Sequence, residues 1–214
     1  MQKNKNSIIR LAHYRRVLNR LKSMGFVKVF SDNLADALGI TPVQVRKDFS
    51  LYRLEGNRRG GYTIEDLVGR IDGILGKNMV QEVVIVGVGR IGKALINYQG
   101  FIKEGIKIVA GFDIDPSKLE PEGGVPVYPL EQLKEFVKAR NIGVAIIAVP
   151  DIAAQQALDI LLAAGVKGIL NFAPIPLRAS NDAVINNINV GLELETLIYF
   201  VHAFSKQEEP HESL

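Results

Sequence analysis

A basic stretch of short helices, followed by a regular alternation of apolar strands and helices, predicts an α/β protein. The first part is expected to be a winged helix-turn-helix domain. The second is expected to be a Rossmann-type doubly wound parallel sheet closed by a C-terminal helix. Three observations carry this reading. Two short helices meet at a glycine turn, with Thr41-Pro42 opening the second. A β-branched run, Val83-Val84-Ile85-Val86, leads straight into Gly87-Val88-Gly89-Arg90-Ile91-Gly92. Strand and helix patterns then alternate as far as Phe172.

From the N-terminus, Ser7 is expected to cap a helix with Ile8, Leu11, Tyr14, Leu18 and Leu21 at helical spacing, ending at Gly25. Ser31 or Asp32 is expected to cap a short helix, Asn33 to Leu38, stopped by Gly39. Thr41 caps the next, from Pro42 to about Tyr52. Such a pair forms a helix-turn-helix unit whose second helix is the reader. At about 100° per residue, Val45, Phe49 and Tyr52 fall in one inward sector. Val43, Arg46, Lys47 and Ser50 fall opposite, with Gln44 on the flank. Cations there can meet phosphates or guanine edges, and an aliphatic can meet a thymine methyl.

Gly56-Asn57-Arg58-Arg59-Gly60-Gly61-Tyr62 reads as a β-turn between two short strands, a wing that presents Arg58 and Arg59. Arginine at such a tip suits a narrow minor groove. Thr63 caps a helix carrying Leu67, Ile71 and Leu75, and Gly76-Lys77-Asn78 marks the domain boundary. The DNA-binding candidates are Arg10, Gln44, Arg46, Lys47, Ser50, Arg58 and Arg59.

In the second part each glycine has a physical duty. Gly87 permits the tight turn, Gly89 lets a pyrophosphate approach the backbone, and Gly92 lets helix and strand pack closely. The helix N-terminus offers free N–H groups to phosphates. The next strand, Lys107 to Phe112, ends at Asp113, 21 positions beyond Gly92, where a carboxylate accepts from ribose hydroxyls and repels a 2′-phosphate. That pattern favours NAD over NADP. Helices are expected from Glu131 to Arg140 and Ala153 to Ala164, and strands from Gly143 to Val149 and Gly168 to Phe172. Ligands sit at the carboxyl ends of such strands. The cofactor candidates are therefore Gly87, Val88, Gly89, Arg90, Ile91, Gly92, Tyr98, Asp113, Val149, Pro150, Phe172, Ala173 and Pro174.

A last helix, roughly Leu192 to Lys206, places Leu194, Leu197, Ile198, Val201 and Phe204 on one stripe. The stripe can cover its own sheet or pair with a second copy. The domains are thus 1–78, 79–191, the helix 192–206, and a charged tail 207–214 expected to be disordered.

Charge supports the division. Residues 1–80 hold 15 Lys/Arg against 7 Asp/Glu, and the remainder 11 against 16, as for a nucleic-acid module joined to a different one. Cysteine is absent, which removes disulfides, thiolate metal sites and cysteine nucleophiles together. His13, His202 and His211 have no metal-ligand spacing, so no metal is expected. No apolar run reaches the roughly 18–20 residues of a membrane span, and no signal peptide precedes the first helix, so a cytoplasmic location is expected.

The motifs together resemble the Rex family of redox-sensing transcriptional repressors along nearly the whole chain. The carrying segments are Ser7 to Leu21, Val45-Arg46-Lys47-Asp48-Phe49-Ser50, Arg58 with Gly61-Tyr62, Gly87 to Gly92, Phe112-Asp113-Ile114-Asp115-Pro116 and Gly168 to Pro174. The resemblance implies a homodimer with exchanged C-terminal helices, a double-stranded, palindromic operator, and NADH and NAD as regulatory ligands. In that family NADH weakens operator binding and NAD permits it. Two departures stand out. Leu51-Tyr52-Arg53-Leu54-Glu55 replaces the usual aromatic- and glycine-rich stretch, with Arg59 at a usual glycine. Asn189 stands where an acidic residue often serves the switch, near counterparts of Arg16 and Tyr98.

Two other readings remain at this point. A repressor of the same architecture can hold a different nucleotide such as coenzyme A. A dehydrogenase needs a substrate domain and a proton-transfer residue beside the nicotinamide, yet no histidine lies between positions 14 and 201 and little follows the sheet. No catalytic residue is therefore expected.

Overall fold

The structure, a computed structural model, describes residues 5–56, 60–179 and 183–207. Two compact units divide the chain, Met1–Val80 and Gln81–Leu214.

In the first unit α1 (Lys5–Ser23) buries Leu11, Tyr14 and Leu18, the face set by its helical spacing. A two-residue strand β1 (Lys28–Val29) precedes α2 (Ser31–Leu38) and α3 (Pro42–Leu51). The cap of α2 differs from expectation. Phe30 is the capping position, and its N–H donates to Asn33 Oδ1 at 3.0 Å, so neither Ser31 nor Asp32 performs that task. Thr41 does cap α3, its hydroxyl accepting from the Gln44 N–H at 3.2 Å. Gly39 ends α2 at φ 64°, a conformation that costs glycine nothing.

The strand β2 (Tyr62–Thr63) leads into α4 (Ile64–Leu75) and pairs antiparallel with β1, Lys28 opposite Thr63 and Val29 opposite Tyr62. The tip of the expected wing, Asn57-Arg58-Arg59, lies outside the described residues, and β2 finds its partner 33 to 35 residues upstream. Gly61 makes this possible. Its φ is 68°, and a side chain there would strike the Val29 carbonyl at 2.7 Å. Tyr62 then stacks edge-on against Phe49 at 5.0 Å, and Phe49 against Tyr14 at 5.3 Å, tying β2, α3 and α1 into one core.

The second unit runs β3 (Gln81–Val86), α5 (Arg90–Ile96), α6 (Gly100–Lys103), β4 (Ile106–Asp113), β5 (Val127–Pro129), α7 (Leu133–Arg140), β6 (Val144–Ile147), α8 (Asp151–Ala164), β7 (Gly168–Asn171), β8 (Val184–Asn187) and α9 (Val190–Gln207). The strands form one parallel sheet in the order β5-β4-β3-β6-β7-β8. Strand order reverses between β3 and β6, the crevice where doubly wound sheets take their ligands. One face packs Phe112, Leu133, Val137, Leu158 and Leu161 beneath α7 and α8. The other packs Val83, Ile85, Ile108 and Ile146 against Leu95, Ile96 and Phe101. Apolar side chains leave water on both faces, which is why β3 reads as an unbroken hydrophobic run.

The edge strands β5 and β8 were not expected. Val-Tyr-Pro and Val-Ile-Asn-Asn are short and half-exposed, and neither carries a buried-strand pattern. The helix α9 does not cover its own sheet. Leu194, Leu197, Ile198, Val201 and Phe204 are all more than half exposed, as are Tyr199 and Val190. Asn189 opens α9, its side-chain oxygen accepting from the Leu192 N–H at 3.0 Å. The expected tail falls almost wholly outside the described residues.

Candidate functional sites

At the carboxyl ends of β3, β4, β6 and β7 lies a cavity of about 860 Å³, within the usual range for a small-molecule site. The loop from Gly87 to the start of α5 forms one wall. Gly87 has φ 93°, and a Cβ there would meet the Ala148 carbonyl at 2.5 Å. Gly92 is closed against the Gly87 carbonyl, so a side chain would part the helix from the strand. Gly89 is different in kind: nothing occupies the space its Cβ would take, and it borders the cavity. Gly89 is the capping position of α5, and the first backbone N–H groups of a helix have no helical partner, which is the chemistry that suits a pyrophosphate.

Asp113 ends β4 buried at the cavity wall. Its Oδ2 accepts from the Val88 N–H at 2.7 Å and its Oδ1 from the Asp115 N–H at 3.0 Å. Two backbone donors thus fix the carboxylate before any ligand arrives. Lys118 Nζ stands 3.6 Å from Asp113 and 3.4 Å from Asp115. The Asp115 carboxyl is held below its usual range by hydrogen bonds from Ser117, first from the side chain and then from the backbone.

Of the candidates read from the sequence, Gly87, Gly89, Arg90, Ile91, Asp113, Val149, Pro150, Phe172 and Pro174 border this cavity. Val88 and Ala173 are buried behind the wall, and Gly92 supports it from beneath. Tyr98 lies outside it, 58% exposed and edge-on to Phe101 at 5.1 Å. Sequence reading missed Ile114, Asp115, Lys118, Leu130 and Gln156, which also line the space. Only Lys118 carried a usable signal. Asp115-Pro116 is a cap-and-proline start for the short 3₁₀ turn Pro116–Lys118, which turns Lys118 back toward Asp113.

The rim at β7 is held by Asn171, which is fully buried. Its amide donates to the Ile175 carbonyl at 2.9 Å and to Asn187 Oδ1 at 2.8 Å, while its oxygen accepts from the Ala173 N–H at 2.9 Å. That network fixes Phe172 and Pro174 at the mouth. Among the described residues no group of three or more His, Asp or Glu side chains could hold a metal ion.

In the first unit α3 presents Val43, Arg46, Lys47 and Ser50 outward, while Val45 and Phe49 are buried and Tyr52 lies just beyond the helix in the same core. Arg46 is loosely held at the surface, 3.2 Å from Ser31 Oγ and 4.0 Å from Asp32. Arg10 and Gln44 are engaged elsewhere: both donate to Asp48. Arg58 and Arg59 lie outside the described residues.

Comparison with known proteins covers the same two units. Residues 78–175 match the family described as CoA binding domain, and residues 5–50 that described as putative DNA-binding protein N-terminus. The redox-sensing transcriptional repressor Rex of Syntrophomonas wolfei is 39% identical over 196 residues, 91% of this chain and 93% of the relative. That of Limosilactobacillus reuteri is 38% identical over 92% of each chain. A crystal structure of RSP in complex with β-NAD⁺ and operator DNA superposes with a TM-score of 0.88 at 29% identity over 100% of both chains. RSP with β-NADH gives 0.82 at 30%, over 97% of this chain and 100% of the other.

Proposed function

The chain belongs to the Rex family of redox-sensing transcriptional repressors, and on that premise we propose that it joins an operator-reading unit to a dinucleotide-reading one. It is a DNA-binding repressor that senses the NADH/NAD ratio, with NADH weakening its hold on the operator. The observation that carries this reading is Asp113, fixed by two backbone donors at the end of a cavity walled by Gly87 and Gly89. A carboxylate so placed accepts a ribose diol and opposes a phosphate on that ribose.

Regulation requires that the ligand bind two arrangements of the protein unequally, with couplings typically about 1–3 kcal/mol. The exposed apolar stripe on α9 supplies the surface for a second copy, and a homodimer with exchanged terminal helices matches two half-sites of a palindromic operator. Arg46, Lys47, Ser50 and the Arg58-Arg59 segment are assigned to DNA. The chain acts as a regulator without catalysis, in the cytoplasm; no helix of the described residues is long and apolar enough to cross a membrane.

Titration of duplex DNA at fixed salt should give weaker binding with NADH than with NAD. Equal affinities would remove sensing and leave a repressor. Coenzyme A, suggested by the description of the matching domain family, is tested by calorimetry beside NADH, NAD and NADPH. Its ribose carries a phosphate that Asp113 should disfavour, so NADH should bind most tightly. Sustained oxidation of NADH with a simple carbonyl would replace the regulator by a dehydrogenase.

A further inference from the structure

Asp48 lies on the reading helix but not on its reading face. It is 2% exposed, and four hydrogen bonds converge on its carboxylate. Oδ2 accepts from Arg10 Nε at 2.6 Å and from the Tyr14 hydroxyl at 2.8 Å. Oδ1 accepts from Arg10 Nη2 at 2.7 Å and from Gln44 Nε2 at 3.0 Å. An ionised carboxylate has about four lone-pair sites, and here each has a donor. Three of the four bonds come from α1, 34 and 38 residues away in the chain.

Electrostatics agree with the geometry. Burial works against the charged form of Asp48, yet the bonds from Arg10, Tyr14 and Gln44 together hold its carboxyl below the usual range. The hydrogen bond to Asp48 raises Arg10, and burial followed by the same carboxylate pushes the Tyr14 phenol well up. Each partner is therefore locked in the protonation state the others need.

This arrangement fixes more than stability. Apolar contact has no direction of its own, and the core orients α3 only through the shapes that interdigitate there. A bidentate guanidinium–carboxylate pair is directional and short. We propose that Asp48 is a positioning residue for operator reading: clamped to α1 by Arg10 and Tyr14, it sets the rotation of α3 that turns Val43, Arg46, Lys47 and Ser50 to the duplex. Arg10 and Gln44 then serve the reader from behind, and Arg10 is not a phosphate ligand.

The two roles of Arg10 separate by salt dependence. A cation that neutralises a phosphate contributes about 0.9 to the slope of log affinity against log salt, and its loss lowers that slope. Removing a positioning arginine lowers affinity and leaves the slope alone. Lysine would replace a phosphate contact but cannot reproduce the planar fork.

The test uses the full chain and a duplex that the wild-type protein enriches from a random-sequence pool, with an unselected duplex as reference. Arg10→Lys, Arg10→Met, Asp48→Asn and the double variant Arg10→Met/Asp48→Asn are titrated across a salt series, with NADH binding and thermal unfolding followed in each. The expected result is a loss of about tenfold for the selected duplex in each single variant, the size of one spoiled base contact. The slope should stay unchanged, as should affinity for the unselected duplex. The double variant should fall no further than the weaker single one, since both break the same clamp.

Wild-type affinity in Arg10→Lys overturns the proposal, as does a slope reduced by about one in Arg10→Met. If Asp48→Asn fails to fold, Arg10→Lys alone still decides, because it preserves charge at a site that is 27% exposed. The inference rests on the repressor reading. A wild-type chain that enriches no duplex overturns that reading and this one with it, whereas failure among the variants overturns this one only.

Discussion

Among the described residues the buried carboxylates are Asp48 and Asp113, one in each unit, and they are held in opposite ways. Asp48 takes its partners from side chains: Arg10 and Tyr14 of α1, and Gln44 of its own helix. Asp113 takes backbone N–H groups from Val88 and Asp115, with Lys118 at longer range. Side-chain partners distant in sequence bind two elements together and use up the carboxylate. Backbone partners orient it and leave capacity for a ligand. The first arrangement builds a clamp and the second an acceptor, from the same chemical group.

Removing each carboxylate should expose that contrast. The largest effect is expected from Asp48→Ala, which leaves the Arg10 guanidinium and Tyr14 hydroxyl without their acceptor. Breaking a buried pair from one side should cost about 3 kcal/mol of stability in the first unit, read by denaturant unfolding, with NADH affinity unchanged. A loss below about 0.5 kcal/mol, the level of an ordinary surface substitution, would mean the clamp is not structural.

Asp113→Ala should do the reverse. Hydrogen bonds to charged groups are worth about 2 kcal/mol, so NADH affinity should fall roughly thirtyfold while unfolding of the first unit stays as it was. Unchanged NADH affinity would show that the ribose is held elsewhere.

The smallest effect concerns pH. The Asp48 carboxyl lies lower in the folded chain than its ordinary value. Its contribution is therefore fully present above the unfolded pKa of about 3.9 and is lost as pH falls through the folded value. The groups facing it from α1 and α3 are Arg10, Tyr14 and Gln44, none of which changes charge in that range. Asp48→Asn should flatten the acid limb of the first unit's stability curve below about pH 4. A wild-type limb in that variant would assign acid sensitivity to other carboxylates.

Much of the fold was legible because it rests on local periodicity. Val83 to Val86 is apolar at every position and lies buried from both sides. Val45, Phe49 and Tyr52 share one face of α3 and its end because about 3.6 residues make a turn, and all three join one core. The glycine loop was legible for a different reason. Gly87 needs a positive φ and Gly92 needs an absent side chain, so both leave a trace in residue type.

Periodicity says which face is buried, not what covers it. It placed Arg10 and Gln44 with Arg46 among the outward polar candidates, since polar residues on a helix read as solvated until a partner is found. Nothing local in Asp48 announces Arg10 38 positions away. Nor could Tyr62-Thr63 indicate Lys28-Val29 as its partner, because two residues carry no alternation. The edge strands β5 and β8 were hidden because half-exposed strands need no apolar pattern. Lys118 reaches the cavity only through a turn that the Asp115 cap closes.

By itself the sequence determined the division into a basic and an acidic part, the helix and strand types along most of the chain, and the glycine loop with its acid at the next strand end. Those properties depend on residue type and spacing within a few turns of chain. Tertiary structure alone decided which carboxylate became a clamp and which an acceptor, and where β2 found its partner. Each of these depends on groups far apart in sequence meeting at hydrogen-bond or contact distance, and spacing along a chain carries no record of that meeting.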